Sequence, residues 1–342
     1  AGQAAPRSVQ FPRKQRGQLG AFLHGQVGAP DVEDQHDTVL IAVVPGLVLD
    51  RIVEHPRLAA FPVTHLFAHV GALARVWLHY PPFSPDTLAT SLTNAQLLQD
   101  YQPQIDSAFR VIGAEALIRW THPELGRIMP DQFITVLENA GRIDELTLYP
   151  IDACMAQLRD WHGQGHDLGV AVNISAGLLS DPHFAEESLR RVKDLGPLAP
   201  HLTFEITETV AFEETGAAAD LLRSLRELGL RVSVDDYGTA QSTLSYLKAF
   251  PANEIKIDKG FVMRMVQSPS DQILVRSTIE LAHELGFTVV AEGVEDTATL
   301  AQLTRYGCDV AQGWCIGRPL PVEEIDIGGI NERMRRDLKM VA

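Results

Sequence analysis

Carboxylate and amide side chains recur at the ends of short apolar runs along the second part of this sequence. In chain order these groups are Glu115, Asn173, Glu205, Asp235 with Asp236, Lys256 with Asp258, Glu292 and Gln312. The intervals between the first members of the groups are 58, 32, 30, 21, 36 and 20 residues. Most of these are close to the length of one βα unit. The spacing therefore predicts that the side chains converge on one rim.

The carboxylates of this set predict a metal centre. A single carboxylate at a strand end is equally consistent with a helix cap or half of a structural ion pair. Several carboxylates at one rim, however, would raise one another's pKa unless cations lie between them. Oxygen ligands without Cys or His favour Mg²⁺ or Mn²⁺ over Zn²⁺. Lys256 adds a fixed positive charge. Such a centre suits hydrolysis of a phosphate ester, in which metal ions bind the phosphoryl oxygens and activate a water molecule.

A scaffold that brings strand ends together is required to position these groups. From residue 101 onward, short β-rich runs alternate with segments of helical periodicity; the runs are 102–106, 110–118, 168–175, 201–207, 231–236, 254–258, 287–294 and 309–317. Strands buried on both faces and separated by helices predict a parallel sheet. Eight of them over roughly 220 residues predict an α/β fold, a TIM-like (β/α)8 barrel with chemistry at the C-terminal strand ends.

Two of the predicted helices have clear apolar faces. In residues 220–229 the face consists of Leu221, Leu222, Leu225 and Leu228, with Gly229 as the C-terminal cap. In residues 271–286 it consists of Leu274, Leu281 and Leu285. Each face is expected to pack against the sheet.

Seven segments in order resemble the signature blocks of EAL-domain cyclic-di-GMP phosphodiesterases. They are EALIRW (115–120), VNIS (172–175), FEITET (204–209), VDDYGT (234–239), EIKID (254–258), AEGVE (291–295) and QGW (312–314). The resemblance covers about residues 100–322. It implies hydrolysis of cyclic-di-GMP to linear pGpG with one or two Mg²⁺ or Mn²⁺ ions per active site, in a homodimer.

The resemblance also implies a role for each matching residue. The metal ligands would be Glu115, Asn173, Glu205, Asp235 and, for a second ion, Asp236. Lys256 would orient the nucleophilic water, and Glu292 would act either as general base or as a ligand of the second ion, a choice left open here. Arg119, Leu117, Gln312 and Gln102 would bind substrate, and Glu208 would brace the loop that follows the paired aspartates.

That loop is where the sequence departs from the family. Ala240, Gln241, Ser242 and Thr243 stand where the family usually has Gly-Tyr-Ser-Ser. Glycine adopts positive φ without strain and alanine does not, so the loop, metal affinity or dimer coupling is expected to differ. A weakly active or inactive receptor that binds cyclic-di-GMP and relays the signal to a partner is therefore an alternative.

Three further alternatives concern single residues or pairs. Arg119 follows Glu115 by four residues, which on a helix would be an i,i+4 ion pair. Lys256 could serve as the base of a metal-dependent enolising or aldol-type barrel enzyme. His65 and His69 have i,i+4 spacing, but without a third ligand a helix surface or core pair is the simpler interpretation.

Composition narrows the possible partners and location. The net charge of −15 opposes binding of duplex nucleic acid, which needs a basic surface. The apolar run 38–49 is too short for a membrane span, which needs roughly 18 residues. Three cysteines without metal-type spacing indicate reduced thiols and a cytoplasmic protein. The predicted division is an N-terminal region of uncertain structure (1–95), the barrel (96–325) and a C-terminal tail or helix (326–342).

Overall fold

The structure, a computed structural model, describes residues 97–123, 125–139, 143–208, 216–239 and 250–339. The strands within these residues are β1 Leu97–Asp106, β2 Val111–His122, β3 Gly126–Ile128, β4 Gly169–Asn173, β5 Leu202–Thr207, β6 Arg231–Tyr237, β7 Glu254–Ile257, β8 Thr288–Ala291 and β9 Val310–Gln312. The α-helices there are α1 Pro130–Asn139, α2 Ile143–Gly163, α3 Pro182–Leu195, α4 Ala217–Glu227, α5 Lys259–Val262, α6 Pro269–Glu284, α7 Thr297–Arg305 and α8 Ile327–Lys339.

Several features predicted from the sequence lie outside the described residues. They are the N-terminal region 1–95, its apolar run 38–49, the pair His65 and His69, and the loop positions 240–243. Within the described part of the chain, no helix has both the length and the apolarity needed to cross a membrane.

Eight of the strands form a closed barrel, which confirms the predicted fold class. The strand order is β1-β9-β8-β7-β6-β5-β4-β2, and the pairing of β2 with β1 closes the ring. Strands β4 to β9 run parallel to one another, and β2 runs parallel to β4. Strand β3, which was not predicted, pairs only with β2 among the described strands, and it does so at the C-terminal end of β2.

The prediction of an all-parallel sheet is wrong for β1, which is antiparallel to both β2 and β9. The four residues 107–110 join β1 to β2, and a parallel crossover needs roughly a dozen or more. Asp106 Oδ1 accepts the backbone amides of Ala108 at 3.0 Å and Arg110 at 2.9 Å, which stabilises the turn. A hairpin therefore replaces the first βα unit.

Alternation along the strands separates the core from the barrel interior. Phe204 and Ile206 of β5 are fully buried in the main hydrophobic core, and so is Ile255 of β7. Successive side chains on a strand point to opposite faces. Glu205 and Lys256, each next to one of these residues in sequence, therefore face the interior of the barrel.

The helix faces differ in detail from those predicted. In α4, Leu228 is 37% exposed, because the helix ends at Glu227 and Gly229 takes a φ of 100° that turns the chain towards the next strand. In α6 the fully packed positions are Val275, Thr278, Ile279 and Ala282. The predicted leucines of α6 flank that stripe and are half-buried. The sequence analysis took these flanking leucines as the centre of the buried face, and the true centre lies about one position further along the helix.

Candidate active site

Lys256 lies at the centre of the candidate site, with its side chain completely enclosed at 0% exposure. Its Nζ atom is 2.6 Å from Glu292 Oε1, 2.9 Å from Glu205 Oε1, 3.3 Å from Glu115 Oε2 and 3.4 Å from Asp235 Oδ1. These four carboxylates come from four different strands or strand ends. The barrel thus brings together residues that are up to 177 positions apart in sequence.

The strand register explains this convergence. Asn173 at the end of β4 pairs with Glu205, and Thr207 pairs with Asp235. Glu292 follows the last residue of β8, and its amide donates to the carbonyl of Ile257. Glu115 and Glu205 lie within their strands, whereas the sequence analysis placed them at strand ends. Strand β2 continues to His122, beyond its predicted run 110–118, but β5 ends at Thr207 as its run indicated.

Charge within the cluster is unbalanced, with four carboxylates around one ammonium group. Burial opposes the charge on Lys256, but its carboxylate neighbours together raise its pKa well above the ordinary value. Burial and then Glu115 raise the pKa of Glu205 far above its usual range. Burial, reinforced by Asp235 and Glu115, raises the pKa of Glu292 to about 7 despite Lys256. Additional positive charge would let all four carboxylates ionise.

The donor set fits a hard divalent cation. Carboxylate oxygens of Asp235, Asp236 and Glu292 all lie within 4.8 Å of one another. Oε2 of Glu205 is buried and accepts no hydrogen bond among the described residues. A cluster of carboxylate oxygens with an unsatisfied buried acceptor is the environment that ions such as Mg²⁺ occupy in proteins. The site can therefore hold a metal ion.

Amide side chains hold Glu115 from two sides. Asn173 Nδ2 donates to Glu115 Oε1 at 2.8 Å, which leaves the Asn173 oxygen available as a ligand. Gln312 Nε2 donates to Glu115 Oε2 at 2.6 Å and lies 3.2 Å from Gln102 Oε1. Gln104 Nε2 donates to Gln312 Oε1 at 2.8 Å. Burial would raise the pKa of Glu115, but Lys256 and these amides outweigh it and lower that pKa.

The C-terminal end of β6 has an unusual backbone conformation. Asp236 has a φ of 56°, and its amide donates to Asp235 Oδ1 at 2.9 Å. Glu208 Oε2 accepts the amides of Gly238 at 3.0 Å and Thr239 at 3.1 Å. A non-glycine residue at positive φ is strained, and such strain persists where surrounding contacts fix it. The Glu208 contacts are of that kind.

Asp258, which the sequence grouped with the rim residues, has a local role. It precedes α5, and its Oδ1 accepts the amide of Gly260 at 2.9 Å. It is the N-cap of this helix, the structural interpretation available for any carboxylate at a strand end.

Comparison with known proteins identifies the family to which this chain belongs. Residues 86–319 match the sequence profile of the EAL domain. The chain belongs to the EAL domain family. It is 38% identical over 241 residues to the bifunctional diguanylate cyclase/cyclic di-GMP phosphodiesterase MucR of Pseudomonas aeruginosa, covering 70% of this chain and 35% of MucR.

Two further comparisons extend this relationship. The cyclic di-GMP phosphodiesterase PA2567 of Pseudomonas aeruginosa is 36% identical over 246 residues, covering 70% of this chain and 42% of that protein. A solved structure of the PaMucR phosphodiesterase in complex with c-di-GMP superposes with a TM-score of 0.66 at 36% identity, covering 69% of this chain and 97% of that one. The chain spans less than half the length of the curated relatives MucR and PA2567.

The Glu-Ala-Leu motif of this EAL domain lies in the middle of β2, and Arg119 follows on the same face of the strand. Four residues of strand separate Glu115 from Arg119 by roughly 13 Å, so the alternative of a helical i,i+4 ion pair between them is wrong. Arg119 Nε instead donates to Asp100 Oδ2 at 3.2 Å, and Arg127 also contacts that carboxylate. Leu117 lies between the two positions and is half-buried.

Sequence reasoning about this EAL domain missed an exposed aromatic residue at the barrel mouth. Trp314 is 55% exposed, and the Arg318 guanidinium lies 4.2 Å from its ring centroid. Gly313 packs so tightly against Val294 that a Cβ atom there would lie 2.2 Å from the Val294 amide nitrogen. Gly317, next to Arg318, accepts a hydrogen bond from Gln102 Nε2 at 3.1 Å. A tryptophan directly after the Gln-Gly pair was the available signal.

Proposed function

We propose that this EAL domain is a metal-dependent phosphodiesterase that hydrolyses cyclic-di-GMP to linear pGpG. The observation that carries the proposal is the enclosed Lys256 with carboxylates of Glu115, Glu205, Asp235 and Glu292 within 3.4 Å of its Nζ. The names of MucR and PA2567 as cyclic di-GMP phosphodiesterases, and the c-di-GMP complex of PaMucR, support the choice of substrate.

Mg²⁺ or Mn²⁺, one or two ions per site, is our assignment for the cofactor, since every side-chain ligand offers oxygen. The proposed ligands are Glu115, Asn173, Glu205 and Asp235, with Asp236 for a second ion. Such an ion, when bound, neutralises charge on the phosphoryl oxygens and lowers the pKa of the attacking water. Its charge would also offset the negative charge of the four carboxylates, which Lys256 alone does not balance.

The residues around Lys256 would handle the water and its proton. Lys256 keeps its proton, because its pKa is raised, so it acts as a hydrogen-bond donor that orients the water and not as a base. This argues against the enolising alternative. Glu292, 2.6 Å from Lys256, would accept the water's proton or serve as a ligand of the second ion.

Substrate contacts are assigned to residues around the mouth. Arg119 has N–H donors beyond those used by Asp100 and the Ile118 carbonyl, and it would bind a phosphate. Leu117 would pack against the ligand. Gln312 and Gln102, which are hydrogen-bonded to each other, would line the cleft.

Trp314 is proposed to stack on a guanine base of the substrate, and its replacement gives a graded prediction. Trp314→Ala should raise KM for cyclic-di-GMP by about tenfold, since base stacking contributes roughly 1–3 kcal/mol, while kcat falls by less than about threefold. Steady-state kinetics by chromatographic detection of pGpG measures both. Trp161→Phe, at a buried ring in the hydrophobic core, is the control. A lower kcat with unchanged KM would exclude stacking.

The decisive test is incubation of purified protein with cyclic-di-GMP and either Mg²⁺ or Mn²⁺. Linear pGpG should accumulate with either ion, and excess EDTA should lower the rate at least about a thousandfold, because the loss of the metal's charge removes several kcal/mol of stabilisation. Re-addition of Mg²⁺ should restore the rate. Chromatography of the nucleotides and a metal titration give both results.

The outcome also separates this enzyme from the receptor alternative. A receptor would bind cyclic-di-GMP in isothermal titration calorimetry and leave it intact over hours with either ion. Turnover that is unaffected by EDTA would contradict the metal assignment while keeping the phosphodiesterase assignment. The loop 240–243, which motivates the receptor alternative, lies outside the described residues.

The remaining proposals concern the whole chain. We propose residues 1–95 as a separate N-terminal region, 96–325 as the catalytic barrel and 326–342 as a C-terminal element. The family resemblance supports a homodimer, which a monomeric mass in light scattering would overturn. The free thiols of Cys154, Cys308 and Cys315 support a cytoplasmic location. Duplex nucleic acid is not a proposed partner, given the net charge of −15.

A further inference from the structure

A second group of metal-ligating side chains lies at the end of the barrel opposite to Lys256. His162 is in the last turn of α2, Asp167 precedes β4 and His201 precedes β5. One nitrogen from each ring and one Asp167 oxygen lie within 4.8 Å of one another. We propose that His162, Asp167 and His201 form a Zn²⁺ site, independent of the phosphodiesterase centre, that ties α2 to the start of β4 and β5.

The backbone at the end of α2 presents His162 and Asp167 to the same point. Gly165 takes a φ of 86°, its amide donates to the His162 carbonyl at 3.1 Å, and the His166 amide donates to the Trp161 carbonyl at 2.9 Å. This pair of bonds is the Schellman arrangement, which reverses the chain after a helix. Asp167 therefore returns past the helix end that carries His162.

The third proposed ligand, His201, lies near this turn because the backbone of Gly169 approaches it closely. Gly169 begins β4, and a Cβ atom at this position would lie 3.2 Å from the His201 carbonyl oxygen. The start of β4 thus approaches the His201 backbone closely. The two imidazole rings of His162 and His201 lie edge to face, with centroids 4.3 Å apart at an interplanar angle of 62°.

The hydrogen bonding of His162 leaves a lone pair available for a metal. Its Nε2 lies 3.0 Å from the Leu168 carbonyl oxygen, which can only accept, so Nε2 carries the proton and Nδ1 the lone pair. A zinc-ligating histidine usually donates its other ring N–H in this way, to a carbonyl or a carboxylate. The orientation of this ring is thus fixed before a metal binds.

The spacing between Asp167 and His201 fits ligands of one ion. His201 Nδ1 is 3.6 Å from Asp167 Oδ1, beyond hydrogen-bonding distance. Two ligands at about 2.0–2.1 Å from a tetrahedral Zn²⁺ are roughly 3.4 Å apart. Two imidazoles and one carboxylate select Zn²⁺ over Mg²⁺, the reverse of the all-oxygen centre at Lys256. The Asp167 side chain is 86% exposed, which leaves room for water as the fourth ligand.

The number of Zn²⁺ ions bound per chain tests the site in the full, untagged protein. With excess Mg²⁺ to occupy the carboxylate centre, equilibrium dialysis against Zn²⁺ should give one more bound ion for the unaltered protein than for His162→Ala or His201→Ala. Co²⁺ in place of Zn²⁺ should produce the strong visible absorption of a tetrahedral site, which an all-oxygen octahedral site lacks. Zn²⁺ at roughly one hundred times its Kd should raise Tm by roughly 5–10 °C.

Two further variants serve as a control and as a second test of the proposed ligands. His166→Ala removes an exposed imidazole from the same turn and should keep the extra ion and the absorption band. Asp167→Asn alters only an exposed side chain, which should fold normally, and should weaken Zn²⁺ binding at least about tenfold. The proposal is overturned if His162→Ala and His201→Ala bind as much Zn²⁺ as the unaltered chain, or if His166→Ala loses as much as they do.

Discussion

Replacement of Lys256 by methionine is expected to lower kcat for cyclic-di-GMP at least about a hundredfold. The same change should destabilise the metal-free barrel by about 3–5 kcal/mol. Lys256 is completely enclosed, and it is the ammonium group that contacts Glu115, Glu205, Asp235 and Glu292. Methionine keeps the unbranched apolar stem but ends one atom short and carries no charge, so the buried carboxylates lose their counter-ion and the water loses a donor.

Metal ions provide a second readout for this variant. Urea unfolding in EDTA should show the full loss of stability, and saturating Mg²⁺ should reduce it, because the cation restores positive charge between the carboxylates. The rate should not recover, because a donor at the position of Nζ is still missing. Lys193→Met, at an exposed position of α3, is the matched control. A Lys256→Met enzyme with a normal rate would remove this residue from the mechanism.

The sequence predicted the barrel and its rim because one physical pattern determines both. A strand buried on both faces is a run of apolar residues, and a polar residue inside it must face a binding site or a partner. Glu205 between Phe204 and Ile206 is such an interruption, and so is Lys256 between Ile255 and Ile257. Seven such blocks in order were sufficient to identify the EAL domain family, which residues 86–319 match.

Features that depend on chain direction or on distant partners were not predictable in the same way. The four residues between β1 and β2 do exclude a helical crossover, but the antiparallel pairing of β1 with β9 is a property of the closed ring. The partner of Arg119 is Asp100 on the neighbouring strand, and local spacing suggested Glu115 instead. The His162, Asp167 and His201 group combines the turn that ends α2 with the residue before β5, which is distant in sequence, so no short motif marks it.

The second large effect is expected at Glu115, where alanine should lower kcat at least about a thousandfold, a loss of roughly 4 kcal/mol of transition-state stabilisation. Glu115 accepts hydrogen bonds from Asn173 at one oxygen and from Gln312 and Lys256 at the other. Alanine removes a proposed metal ligand together with the group that orients these three side chains. Apparent Mg²⁺ affinity in the pGpG assay should fall with the rate.

Glutamine at position 115 separates charge from shape. Both oxygens of Glu115 accept hydrogen bonds, whereas an amide has one acceptor and one donor, so its NH₂ group must face another donor from Asn173 or from Gln312 and Lys256. Glu115→Gln should therefore be nearly as inactive as Glu115→Ala. Glu254→Gln is the control. Glu254 is also a buried glutamate, but it lies at the start of β7, where it contacts Arg231. This variant should retain the rate within about threefold. Full activity in Glu115→Ala would contradict the metal assignment, since the remaining ligands would then suffice without it.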